Sequence, residues 1–176
     1  MLKYLAVTVL GAGQPDLANE LAKLTASSGC HIVNCHISRL GNEYVANLLL
    51  SGTWSAIAKI ESGFPALEQK QNINILLRRT EIPTATDEVL PYSVFLVAID
   101  RPGIIYKITD FFAEQEIYIN ELNTDSYTAR QTSTVMLTIT MRINIPINMH
   151  IADLRERFIL FCDDLNIDAI LEPERN

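Results

Sequence analysis

Val135-Met136-Leu137-Thr138-Ile139-Thr140-Met141-Arg142-Ile143 places Val, Leu, Ile, Met and Ile at every second position, the pattern of a strand with one buried face. That face needs a cover. Upstream, Ile104, Ile108, Phe111 and Phe112 have the i, i+4, i+7, i+8 spacing of an amphipathic helix ending near Gln115. Downstream, Ile151, Leu154, Phe158, Phe161 and Leu165 form the apolar stripe of another. With strands near Tyr92–Ile99, Ile117–Tyr127, Thr132–Ile143 and Asn166–Leu171, the carboxyl-terminal half reads βαββαβ.

The amino-terminal half repeats the order with an offset of 87 residues, Leu17 matching Ile104. Strands are expected at Lys3–Leu10, Cys30–Leu40, Glu43–Ser51 and Asn72–Thr80. One helix runs from Pro15 to Ser28; the other starts at Thr53, carries Trp54, Ile57, Ile60 and Phe64 on one side, and should break or kink at Pro65. Pro15 and Pro102 are both expected in a first helical turn. Glu81–Pro91, with its Pro, Thr and acidic residues, reads as a polar linker centred near Asp87. The fold class is therefore α+β: two tandem ferredoxin-like units, residues 1–82 and 92–176 about a linker at 83–91, each an antiparallel sheet with helices on one face. Units of about 80 residues gain from covering their sheet edges, so a homodimer is expected.

Composition narrows function. Fourteen Lys and Arg residues against 21 Asp and Glu give a net charge of −7, and the basic residues are scattered, so no stripe suits a nucleic-acid backbone. No apolar run reaches the roughly 20 residues that span a bilayer, and the chain enters a strand-like run without a basic leader. Three cysteines, Cys30, Cys35 and Cys162, make no even disulfide framework. A cytoplasmic protein that neither enters a membrane nor binds nucleic acid directly is expected.

The segment most suggestive of chemistry is Asp100-Arg101-Pro102-Gly103-Ile104, between a strand and a helix. Gly103 leaves the helix-terminal N–H groups open to a small carboxylate, Asp100 can accept from an ammonium group, and Asn120 and Leu122 on the next strand are expected to complete the site. The competing reading is an ordinary strand-to-helix turn. In the first half, Gln14, Pro15, Asp16 and Leu17, with Asn34, form a possible second site, weakened by the charge of Asp16 where the second half has Gly103. Gly11 and Gly13 lack the third glycine of a dinucleotide fingerprint.

Cys30-His31-Ile32-Val33-Asn34-Cys35-His36 invites a metal site. On a regular strand, however, His31 and Cys35 share a face roughly 13 Å apart while Cys30 and His31 point oppositely, so no metal is expected. No serine or cysteine has a base arranged beside it. Neither catalysis nor a cofactor is expected.

Two βαββαβ repeats, each with Pro at the strand-to-helix turn, resemble tandem ACT domains, and more closely the glycine cleavage system transcriptional repressor family. The likeness lies in Leu10-Gly11-Ala12-Gly13-Gln14-Pro15-Asp16, in Ser51-Gly52-Thr53-Trp54-Ser55-Ala56-Ile57 and in Leu77-Arg78-Arg79-Thr80. It implies a regulator that restrains a LysR-type activator, with glycine as the suspected amino-acid ligand. ACT domains often carry Asn near the start of the second strand; here His31 and Tyr118 occupy those positions, with Asn34 and Asn120 nearby. Open alternatives are a sensor of another metabolite acting on an enzyme and a ligand-free interaction module.

Overall fold

The computed structural model describes residues 2–12, 15–82 and 88–174. They divide into two compact units between residues 82 and 88. The first contains β1 (Lys3–Gly11), α1 (Leu17–Ser27), β2 (His31–Leu40), β3 (Glu43–Gly52), α2 (Trp54–Gln71) and β4 (Ile73–Thr80). Its sheet order is β2-β3-β1-β4, every neighbouring pair antiparallel. The second contains β5 (Val89–Ile99), α3 (Ile104–Ala113), β6 (Tyr118–Thr128), β7 (Val135–Pro146), α4 (Ile151–Leu165) and β8 (Asp168–Pro173). Its order, β6-β7-β5-β8, is the same. Both are ferredoxin-like.

The strand alternation is realised as expected. Leu5, Val7 and Val9 of β1 are buried with Leu48 and Leu50 of β3, and Leu17, Leu21, Ile57, Ile60 and Phe64 of the helices pack on them. In the second unit Val94 and Leu96 of β5 and Leu137, Ile139, Met141 and Ile143 of β7 meet Ile104, Ile108, Phe112, Leu154 and Phe158. Each such side chain contributes about 1.5–3 kcal/mol through removal from water. An aromatic cluster marks the second core alone: Phe111 lies 5.3 Å from Phe112 and 4.8 Å from Phe161, and Phe112 lies 5.5 Å from Phe158.

Several expectations need correction. Pro15 and Pro102 lie outside their helices, one residue before the caps Asp16 and Gly103, so they shape the turn and not the first helical residue. Pro65 neither breaks nor terminates α2, which runs unbroken over 18 residues. Buried Ile57, Ile60, Phe64 and Leu67 lie on both sides of Pro65, and their packing on the sheet holds the helix together despite one missing N–H.

Residues 89–91, expected in the linker, already belong to β5; Pro91 is accommodated because pairing with β8 begins only at Tyr92. The expected boundary near Asp87 falls outside the described residues. Finally, the offset of 87 holds from Leu17/Ile104 to His31/Tyr118 and then fails. Two residues join β2 to β3, whereas six join β6 to β7, so α2 and α4 begin 97 residues apart.

Candidate functional site

The turn after β5 is held from three directions. The Asp100 amide donates to the Val135 carbonyl at 2.9 Å, and Ser126 Oγ donates to Asp100 Oδ2 at 3.0 Å. Arg101 Nη2 donates to the Leu165 carbonyl at 3.0 Å, tying the turn to the end of α4. Gly103 caps α3 at φ 85° with no side-chain hydrogen bond to the cap. A Cβ there would meet nothing within 4 Å. The Ile104 amide donates to the Arg101 carbonyl at 3.3 Å; those of Ile105 and Tyr106, which no intrahelical carbonyl can satisfy, lie beside an open depression bordered by Asp100, Gly103, Tyr106 and Val135. That arrangement suits a carboxylate.

Two of the expected site residues serve the fold. Ile104 is 2% exposed and belongs to the core, and Arg101 is engaged with Leu165. Ser126 and Val135 were not anticipated; parallel β5 and β6 bring their carboxyl ends to the same end of the sheet, a consequence of strand order that residue spacing does not reveal.

Asn120 and Leu122 do not meet the turn within the unit. Asn120 sits in a register shift between Ile119 and Glu121, which pair with Ile143 and Arg142. From there to Val135, beside Asp100, is at least seven residues along β7, roughly 23 Å at ~3.3 Å per residue. Leu122 packs partly against the core. Expecting these two beside Asp100 overlooked that β6 starts at the far end of the sheet.

The first unit fails in the same way and in another. Asn34 pairs with Leu49, whereas Gly11, at the turn end of β1, pairs with Tyr44, a separation of roughly 17 Å along β3 at ~3.3 Å per residue. Leu17 is buried, and Gln14 lies outside the described residues. Asp16 caps α1 through its backbone, and its side chain accepts from Gln71 Nε2 at 3.3 Å. Gln71 is 3% exposed and its Oε1 has no partner. The first unit thus carries a carboxylate at its helix start, turned to Gln71 and not bonded to the α1 amides, where the second unit has Gly103. Gly11 is required by packing: a Cβ there would approach the Ile73 backbone to 2.8 Å.

The Cys-His segment also differs from a regular strand. A register shift between Ile32 and Asn34 reverses the alternation, so His31 and His36, opposite Ser51 and Asn47, share a face, and Cys35, opposite Leu48, does not. Among the described residues no three His, Cys, Asp or Glu side chains gather as a metal site. Cys30 and Cys162 are buried and Cys35 is exposed. Burial, helped by the neighbouring charge of Asp163, pushes the Cys162 thiol up to about 12, which keeps it protonated and unreactive. No described helix is long and apolar enough to cross a membrane.

Residues 3–77 match the ACT domain family model. Over 165 residues the chain is 30% identical to the glycine cleavage system transcriptional repressors of Escherichia coli (strain K12) and Shigella flexneri, covering 93% of this chain and 86% of theirs. The chain belongs to this ACT-domain repressor family. Its fold is shared along the whole length with a crystal structure assigned to a glycine cleavage system transcriptional repressor, at 24% identity and a TM-score of 0.74, covering 100% of this chain and 99% of that one. An unknown protein from Galdieria sulphuraria has the same fold at 16% identity, with a TM-score of 0.79 and coverage of 99% and 100%. This is accordingly a regulatory ACT protein, in which the second unit repeats the topology that the family model matches in the first.

Proposed function

We propose that this ACT protein is a cytoplasmic, non-enzymatic regulator of the glycine cleavage system that senses a small amino acid, glycine first among them, and restrains a LysR-type activator without itself binding DNA. The observation that carries this reading is identity spanning both units with repressors named for that system. The turn supports it locally: Gly103 sets no side chain over the Ile105 and Tyr106 amides, an open depression lies beside them, and the Asp100 carboxylate borders it. An amino acid carries the two charges that such a pair would receive. Charge supports the absence of DNA contact. Residues 85–176 hold seven basic and fifteen acidic side chains, a net −8, against seven and six, a net +1, in residues 1–84, and the acidic unit would repel a polyanion.

The expected ligand set, Asp100 to Ile104 with Asn120 and Leu122, is too widely spaced to act within one unit, so we propose that a second copy completes it. β6 is an edge strand and nearly all of its side chains are exposed. Antiparallel pairing of two β6 edges about Asn123 would set Asn120 of one copy opposite Ser126 of the other, next to Asp100 and Gly103. That pairing would also cover the unpaired edge. Residues 1–82 and 92–176 are proposed as the two domains, with 89–91 added to the second.

Calorimetric titration with glycine and the other common amino acids, alongside thermal unfolding, tests the reading. A ligand selective for the folded state raises its apparent stability. A response to glycine supports the proposal; a response to a different amino acid replaces the ligand, and silence across the set leaves an interaction module. Light scattering reads the dimer directly. In mobility-shift titrations the chain alone should leave an operator fragment unshifted at physiological salt, and a salt-sensitive shift at submicromolar protein would refute indirect action.

A further inference from the structure

The two segments that carry much of the family likeness, Ser51–Ile57 and Leu77–Thr80, take no part in either turn. They meet at the opposite end of the first sheet, where Tyr4 of β1 pairs with both Ser51 and Thr80. Trp54, the sole tryptophan, is 63% exposed and outside the core, so the fold does not account for it. The Arg79 guanidinium stands 5.9 Å from the centre of its ring. Glu61 holds that guanidinium in place, accepting from Nε at 2.9 Å and from Nη2 at 2.7 Å. Arg79 Nη1 is not used in those bonds. Beside this group opens a cavity of about 770 Å³, bordered by Lys3, Tyr4, Trp54, Ile57, Arg79 and Ile82, within the size range of small-molecule sites.

We propose that this cavity binds a small planar ring bearing a single negative charge, an aromatic monocarboxylate. The ring would lie against the indole and Ile57, and the carboxylate would take donors from Arg79 Nη1 and Lys3 Nζ. Glu61 does more than neutralise Arg79: by fixing two of its nitrogens it orients the third in advance, which lowers the entropy lost on binding. Glu81, also on the cavity wall, opposes a second negative charge on the ligand. The α2 terminus is not the attraction, since Thr53 Oγ1 accepts from the Ala56 amide at 3.2 Å.

Because the chain has one tryptophan, its emission reports on this cavity alone. The full chain is titrated with benzoate, with benzamide as the ring without charge, and with acetate as the charge without ring. Benzoate should change the emission saturably, and Arg79→Gln and Lys3→Gln should each weaken it roughly tenfold, the scale of one charge-assisted hydrogen bond. Lys3 is exposed at a strand end, so its variant keeps the test usable if Arg79→Gln disturbs the fold. No saturable change with millimolar benzoate, equal responses to benzoate and benzamide, or undiminished binding by a folded variant would each overturn the site. Glycine binding at the Gly103 turn is read separately by calorimetry, so either site can fail without the other.

Discussion

Leu17 and Ile104 are each 2% exposed and open helices that cover equivalent sheet faces, yet the preceding residue is Asp16 in one unit and Gly103 in the other. Both units tie this turn to the end of their second helix, where Asn72 and Asn166 cap α2 and α4 in the left-handed conformation. The second unit does so with Arg101, two residues upstream of its cap, reaching a backbone carbonyl, and the space before α3 stays open. The first does so with the cap residue itself, whose carboxylate accepts from Gln71. The same mechanical requirement is met in one case by an arginine upstream of the cap and in the other by the carboxylate of the cap residue, which makes no hydrogen bond to the α1 amides. A repeated fold can thus retain a turn while only one copy sets a negative charge at its helix start.

The separateness of the units is the part of this comparison that can be broken most forcefully. Phe158, 1% exposed amid the second unit's aromatic cluster, should cost about 3–5 kcal/mol when changed to Ala, as read by denaturant unfolding. Hydrogen exchange should then show lost protection in β5–β8 and retained protection in β1–β4. Equal loss in both would refute the proposed domain division.

The two turns are sharpened by exchanging their chemistry. Tolerance of Asp at both helix starts is a natural expectation from the repeat, but Gly103 has φ 85°, so a replacement costs about 1–2 kcal/mol in backbone strain. Gly103→Asn carries that strain without charge and serves as the reference for Gly103→Asp. Calorimetry should find glycine binding abolished in the Asp variant and weakened less in the Asn variant, with Asp16→Gly leaving binding undiminished. Loss through Asp16→Gly with Gly103→Asp unaffected would assign the ligand to the first unit.

Thiol chemistry contrasts the units on a smaller scale. In the native protein a maleimide should modify Cys35 alone, and Cys30 and Cys162 only after unfolding, because burial raises the pKa of both protected thiols. For Cys162 the folded value is about 12 against an ordinary 9.0. The unfolded chain therefore loses this proton first, and the contribution to stability, constant below pH 9, should decline as pH rises from 9 toward 12. Unfolding midpoints across that range, compared with those of Cys162→Ala, isolate the effect.

The smallest expected change comes from Gln71→Leu, which copies Leu165 into the first unit. It removes a buried Oε1 that has no partner along with the bond to Asp16, so stability should move by no more than about 1 kcal/mol. A larger loss would show that the Asp16–Gln71 contact holds the first turn in place.

Much of this was legible in the residues. Alternation in Val135–Ile143 and the stripes at Ile104–Phe112 and Ile151–Leu165 became β7, α3 and α4 because a strand or helix buries its apolar face whatever lies farther along the chain. The six residues joining β6 to β7 hid the drift of the repeat from a single offset. Pro65 does not break α2, because local propensity says nothing of the packing that overrides it. The candidate sites depended on features with no local signal. One register shift in β2 exchanges which of His31, Cys35 and His36 share a face, and strand order sets Asn120 at the opposite end from Asp100 while bringing Ser126 to it. The sequence by itself determined the elements, their buried faces and the repeated topology, since these follow from periodicities of two and 3.6 residues. Only the tertiary structure decided which side chains meet, because pairing register and sheet order are set by contacts between residues distant in the chain.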